Sequence, residues 1–238
     1  MNMKRKLCRC VVLLFLIPLL SAQDKADVNM VNRIWQEGTD RSQVMQTLSY
    51  LADVVGPRVP GTPAMKKAYD WTIKKFEEWG MKNVDWDSLE KNWRNPLGDS
   101  KKLLAKPDYY KISGYFNYDN GSGKIRGVYI QENFQVRQIF EEWMKPLRDL
   151  GVTTLALQST DGTDHLPFDW IGIPGFQFIQ DPIDYTPNLH HTNQDVYDHC
   201  VPEDLIQSAV VMATFVYHTA MREELLPRKS PPLPIEAK

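Results

Sequence analysis

Short apolar runs of strand length alternate with helical patterns in the second half of this 238-residue chain, and this alternation constrains its fold more than any other feature. Four runs have the length and composition of buried strands, at residues 111–119, 124–131, 152–158 and 175–180. Between the second and third run, residues 134–150 repeat apolar side chains at helical spacing. The pattern predicts an α/β fold built around a β-sheet, with residues 108–226 as its main body.

The first two runs are separated by Asn-Gly-Ser-Gly at residues 120–123. Asn-Gly is typical of the tight turns that join antiparallel strands. We therefore predict that residues 111–119 and 124–131 pair with each other as a hairpin.

Helices are predicted at both ends of the chain. Residues 27–55 carry an apolar stripe at helical spacing, and a second helix follows Thr62, which can cap it, and Pro63, which suits a first helical position. We expect these N-terminal helices to pack on the sheet. The closing helix is predicted to begin at Pro202 and to run to about Leu225.

The first 22 residues have the pattern of a secretory signal peptide. Four basic residues precede the apolar residues 11–20, which are too few to span a bilayer comfortably, and small residues follow at positions 21 and 22. No cysteine follows the apolar run, so a lipid anchor is not expected. We predict that the mature chain is exported to the periplasm or the extracellular space without a membrane anchor.

Removal of this segment changes the charge and the cysteine content. Lys and Arg fall from 28 to 24 against 30 Asp and Glu, so the net charge becomes about −6 rather than −2. An acidic chain of this kind is not suited to nucleic acid, which requires clustered Lys and Arg. Cys8 and Cys10 leave with the segment, and Cys200 alone cannot form an internal disulfide.

The five histidines all lie in the last third of the chain. His218 falls outside the apolar stripe of the closing helix and is expected at the surface, and His199, in a polar turn, is expected to be structural. His165 and His191 instead follow predicted strands and adjoin carboxylates. Loops at strand ends are where open α/β sheets bind ligands, so these two are the candidate site histidines.

Three aspartates accompany these two histidines. Asp119 ends an apolar strand, Asp164 directly precedes His165, and Asp195 lies four residues after His191. Asp and His side chains that converge from separate strand ends suit zinc. Such side chains in loops are also commonly only solvated, so the pattern alone leaves both interpretations open.

Four segments resemble one known family. They are GTDHLPFDWIGIPGFQFIQDPIDY (162–185), HHTNQDVYD (190–198), NYDNGSGKIRG (117–127) and the stretch at residues 51–80. All four are similar to segments of metallopeptidase family 28, which consists of secreted zinc exopeptidases and includes bacterial leucyl-type aminopeptidases and carboxypeptidases of the Q type.

The resemblance implies part of a phosphorylase/hydrolase-like three-layer sandwich around a mixed β-sheet, with N-terminal helices. It also implies two zinc ions bridged by a water, and peptide or dipeptide substrates. By motif, Asp119 and His191 match zinc ligands. Asp164 and His165 match a loop on the substrate side of the site, and Asp195 is assigned to the same surroundings.

The sequence departs from the family in the interval before Asp119. The family places there a His-x-Asp metal motif, a bridging aspartate and a Glu-Glu pair that supplies the general base. Residues 85–118 contain no histidine and no Glu-Glu pair, and the pairs Glu77–Glu78 and Glu141–Glu142 belong to helix faces. No catalytic residue is identifiable. The chain resembles the family without its central catalytic segment, so we expect hydrolysis to be impaired.

Three hypotheses follow: a zinc exopeptidase by descent in a truncated form, a non-catalytic exported remnant or peptide-binding module, and an exported structural domain without present function. The expected segments are a signal peptide (1–22), an N-terminal helical segment (23–90) that includes a short strand at 83–88, a linker and deletion junction (91–107), the C-terminal half of the peptidase domain (108–226) and a Pro-rich tail (227–238). Strand edges exposed by a deletion would favour self-association.

Overall fold

The computed structural model describes residues 24–82 and 107–229. The predicted signal peptide, the predicted strand at residues 83–88 and nearly all of the predicted linker lie outside the described residues.

The N-terminal part is helical, as predicted, but it is divided into more pieces. Its helices are α1 (Val28–Asp40), α2 (Val44–Ser49), a π-helical segment (Tyr50–Val55) and α3 (Pro63–Glu78). The side chain of Thr62 caps α3 by accepting a hydrogen bond from the Met65 amide, as its position before Pro63 predicts.

The second part contains four strands and three α-helices. They are β1 (Tyr115–Asn117), β2 (Ile125–Tyr129), α4 (Arg137–Met144), β3 (Thr154–Ala156), α5 (Leu166–Trp170), β4 (Gly175–Gln180) and α6 (Pro202–Met221). Short 3₁₀ turns at Phe134–Val136 and Lys145–Leu150 flank α4. Each predicted strand run therefore contains a strand, and the whole is a mixed α/β fold.

The strands form one mixed sheet in the order β1-β4-β2-β3. β4 lies between β1 and β2, parallel to the former and antiparallel to the latter. The predicted hairpin of the first two strands is therefore wrong. The turn at residues 120–123 instead binds the end of β4, where the Gly123 amide donates to the Asp181 carbonyl and the Asn120 amide donates to the Gln180 side chain.

The two faces of the sheet differ in chemistry. Phe176 and Phe178 point from β4 into an apolar core with Phe140 of α4 and Phe215 of α6, and all four are almost fully buried. Gln177 alternates to the opposite face, where it meets polar groups. Helices α4 and α6 thus cover one face, and the loop before α5 covers part of the other.

The N-terminal helices α1 and α2 make their main contacts with α6. Helices α1 and α2 pack on α6, which in turn packs on β2, whereas α3 packs on the π-helical segment. Val31 of α1 belongs to the same apolar core as Val128 of β2 and Phe176 of β4, so α1 contributes to the core that covers the sheet. Among the described residues, no helix is both long and apolar enough to cross a membrane.

His218 is buried rather than exposed, which corrects the prediction from its place outside the stripe. Its Nδ1 lies 2.7 Å from the Thr214 carbonyl, and its Nε2 accepts a hydrogen bond of 2.9 Å from the Asp27 amide at the start of α1. The ring also stacks on Trp143, with centroids 5.4 Å apart. Helix α1 covers this part of α6, and the sequence of α6 alone contains no sign of that contact.

Gln207 of α6 completes the hydrogen bonding of the sheet. Its side chain accepts from the Ile125 amide (2.9 Å) and donates to the carbonyls of Ile125 (2.8 Å) and Leu150 (3.2 Å). Both Gln207 and Ile125 are buried, so the backbone groups of Ile125 have no access to bulk water. One helical side chain therefore takes the place of a neighbouring strand.

We predict that Gln207→Leu lowers the free energy of unfolding by about 2–4 kcal/mol, because it leaves buried backbone groups of β2 unsatisfied. Urea denaturation measures the change. Gln36→Leu, at an exposed position on α1, is the control and should change stability by less than about 0.5 kcal/mol. Equal effects of the two substitutions would contradict this role.

Stability should also depend on the proton of His218. Burial lowers the pKa of this imidazole below its usual 6.5, so the unfolded chain takes up the proton first. The stabilisation that the buried, neutral His218 contributes is therefore present above about pH 6.5 and is lost as the pH falls below that value. We expect the free energy of unfolding of the parent to decrease from about pH 7.5 to about pH 5.5. The decrease should be smaller in His218→Gln, whereas the control His199→Gln should behave like the parent. An unchanged slope in His218→Gln would contradict the assignment.

Candidate functional site

The carboxyl ends of β1 and β4 meet at one edge of the sheet, because the two strands are parallel neighbours. Asp119 follows β1 at this edge. A π-helical turn (Tyr185–Leu189) follows β4 and leads directly into His190 and His191. We call this region, with Asp164 and Asp195, the Asp119 edge.

Tyr185 connects the two loops of the Asp119 edge. Its hydroxyl donates to Asp119 Oδ1 over 3.1 Å, and its ring lies 4.9 Å from that of His190. The His190 and His191 rings stack with centroids 3.9 Å apart. His191 has φ of +59°, an uncommon conformation for a residue with a side chain. Asp119 and the candidate histidine His191 thus belong to one contiguous set of contacts.

Carboxylate charges act on the ionisable side chains of the Asp119 edge. Burial, followed by the charge of Asp119, raises the pKa of the Asp164 carboxyl. Burial, Asp119 and Asp195 together raise the pKa of Tyr185 to about 12, and burial with the charges of Asp164 and Asp119 does the same for Tyr115. Three aspartates from three loops therefore act on the same small region, as their positions after strands suggest.

His165 differs from the other candidates because it is fully buried. Its Nδ1 shares a hydrogen bond of 2.7 Å with the Thr163 hydroxyl, and its Nε2 lies 3.2 Å from the Thr160 carbonyl. Burial lowers the pKa of the His165 imidazole. These contacts hold the loop of residues 160–165, which carries Asp164.

A buried polar network joins this loop to the sheet. The Thr163 hydroxyl donates to Gln177 Oε1 over 2.8 Å, and Asn117 Nδ2 donates to the same oxygen over 2.7 Å. Asn117 and Gln177 are paired residues of β1 and β4. The network fixes the loop of Asp164 to the two strands that form the Asp119 edge.

The donors at this edge do not make a complete metal site. Over residues 24–82 and 107–229, no group of three or more His, Cys, Asp or Glu side chains is arranged to hold a metal ion. Asp119 is hydrogen-bonded to Tyr185, and the His191 ring is stacked on His190. A tight zinc site usually needs at least three protein ligands, so the described residues do not fit a zinc centre.

Sequence reasoning missed Tyr185, Tyr115 and Gln177. None of them has a carboxylate or imidazole, the groups by which metal-ligand candidates are recognised in a sequence. Their contacts with the candidate residues also depend on which strands are neighbours in the sheet. Tyr185 follows a strand at the same edge as Asp119, but this position depends on the parallel pairing of β1 and β4, which the sequence does not reveal.

The model of peptidase family M28 matches residues 85–216 of the chain. This range includes all five candidate site residues. The resemblance of residues 51–80 lies outside the matched range and stays a prediction.

Curated relatives resemble about half of the chain. Carboxypeptidase Q of Bos taurus is 33% identical over 127 residues, which are 52% of this chain and 26% of that protein. Carboxypeptidase Q of Homo sapiens is 31% identical and that of Rattus norvegicus 29%, each over 125 residues with the same coverage. The matched region thus spans about a quarter of the length of these relatives. No solved structure matches the chain.

We predict that Thr163→Val lowers the free energy of unfolding by about 1–3 kcal/mol, because the fully buried His165 Nδ1 loses its partner without a change in side-chain shape. Chemical denaturation is the measurement. Thr39→Val, on the exposed face of α1, is the matched control. A cost below about 0.5 kcal/mol at Thr163 would show that the network does not contribute to stability.

Proposed function

This chain belongs to peptidase family M28, and from that premise we propose that it is an exported protein of the zinc-exopeptidase type that binds peptide ends at the Asp119 edge but is impaired in hydrolysis. One observation supports the impairment above all. The interval of residues 85–118 contains no histidine and no Glu-Glu pair, which are the residues with which the family binds metal and supplies its base.

Hydrolysis of a peptide bond requires a water made nucleophilic, a group that polarises the carbonyl, and a base that accepts the proton. The family supplies the first two with zinc ions and the third with a glutamate. Neither Glu77–Glu78 nor Glu141–Glu142 lies at the Asp119 edge: the first pair ends α3, and the second lies on α4. No catalytic step is therefore assigned to the residues that the structure describes.

Binding of a peptide end makes smaller demands. Asp119 and Asp195 are exposed carboxylates, and the Tyr185 hydroxyl and two imidazoles lie beside them. Carboxylates accept hydrogen bonds from amide and ammonium groups, and aromatic rings offer apolar contact. We therefore assign the Asp119 edge, including the exposed Asp164, as the peptide-binding surface.

The truncation and the export belong to the same proposal. Export is supported by the signal-peptide pattern of the first 22 residues, and truncation by the missing metal motifs before Asp119. Self-association through strand β1, which lies at the margin of the sheet, is a further expectation.

We predict that the purified mature chain gives no appreciable hydrolysis of aminoacyl anilides or dipeptides, with or without added zinc. Loss of parts that act as a unit typically costs several orders of magnitude in rate. The measurement is a peptidase assay together with metal analysis of the same sample.

His191→Ala and His199→Ala serve as matched controls, because both histidines lie in the loops after β4 but only His191 is a candidate ligand. Zinc-dependent hydrolysis that His191→Ala abolishes and His199→Ala preserves would overturn the proposed impairment. Activity unaffected by either substitution would be attributed to a contaminating peptidase.

A further inference from the structure

The last described residues, 226–229, form a segment outside the helices and strands that we call the C-terminal clamp. Leu226 is buried in the apolar core, and its amide donates to the Ser113 hydroxyl over 3.0 Å. Arg228 donates to the carbonyls of Tyr109 and Ile112, both over 2.8 Å. The clamp is thus bound to the residues that precede β1.

Lys229 extends the clamp to the far side of the sheet. Its Nζ lies 2.8 Å from Asp169 of α5 and donates to the Gln131 carbonyl over 2.7 Å. The two charged side chains are only 27% and 11% exposed. A buried carboxylate needs a partner, and the Lys229 ammonium is the cation beside Asp169.

Gln131 links Lys229 to the loop of Asp164. Its side chain is 1% exposed and binds the backbone of Thr160 twice, accepting from the amide over 2.7 Å and donating to the carbonyl over 2.8 Å. Its backbone has φ of +51°, and that of Glu132 has φ of +58°. Two consecutive non-glycine residues in this region are strained and need surrounding contacts to persist.

The Lys229 contact stabilises that strained conformation where it is needed. The ammonium binds the carbonyl of Gln131 itself, which lies between the two positive φ angles. Relaxation of this backbone would withdraw the Gln131 amide from Thr160. The His165 ring, which also contacts the Thr160 carbonyl, would then lose one end of its support.

We infer that Lys229 is a positioning residue for the loop of residues 160–165, which it holds in place through the backbone and side chain of Gln131. The assignment rests on the proposed function in one respect, namely that Asp164 of this loop belongs to the peptide-binding surface. Lys229 is distant in sequence from every candidate site residue.

The test is hydrogen exchange of the Thr160 amide in the full chain, because this amide donates to Gln131 Oε1. In Lys229→Met we expect exchange at Thr160 to be about tenfold faster, while the Phe178 amide in β4 is unchanged. Lys229→Arg keeps the charge and should restore most of the protection. Lys145→Met removes an exposed lysine paired with Glu142 and is the matched control.

The assignment would be overturned if the Thr160 amide of Lys229→Met exchanged within twofold of the parent rate. It would also be overturned if the Thr160 and Phe178 amides were accelerated equally, because that result indicates general destabilisation. If Lys229→Met does not fold, Lys229→Ala is the second variant, because it removes the same ammonium without leaving a long apolar chain beside Asp169, and exchange at Thr160 within twofold of the parent would equally overturn the assignment. The measurement involves neither peptide nor metal, so its failure is separate from failure of the proposed function.

Discussion

The insertion of β4 between β1 and β2 is the constraint on which the rest of this structure depends. Its Phe176 and Phe178 fill the core below α4 and α6, while Gln177 anchors the polar network on the other face. Gly175 permits this position, because a side chain there would lie 2.4 Å from the His165 carbonyl. The same strand brings the loops of Asp119 and His191 to one edge. The apolar core and the candidate site therefore both depend on the position of β4.

The sequence was sufficient for local structure and insufficient for strand order. Runs of apolar residues predicted each strand, and Thr62 and Pro63 predicted the start of α3, because these signals act within a few residues. The Asn120–Gly121 turn predicted a hairpin that does not form, since its hydrogen bonds go to Gln180 and Asp181, about 60 residues away. Partners so distant in sequence leave no periodic pattern.

The candidate site was predictable to the same extent. Asp119, Asp164, His165, His191 and Asp195 were identified from their loops and from the family resemblance, and the matched family range contains them all. Their roles differ more than the motifs suggest: Asp119 and His191 lie on a surface joined by Tyr185, whereas His165 is a buried support of its loop. Burial and hydrogen bonding, which a motif does not encode, separate a surface candidate from a supporting residue.

The proposed impairment requires that the Asp119 edge does not hold a complete zinc centre. Zinc-edge anomalous diffraction from crystals of the mature chain grown with zinc tests it most directly. We expect no pair of zinc ions between Asp119 and His191, and at most one weakly occupied ion at this edge. Two fully occupied ions bridged between these side chains, with further ligands supplied by other residues of the chain, would contradict the account.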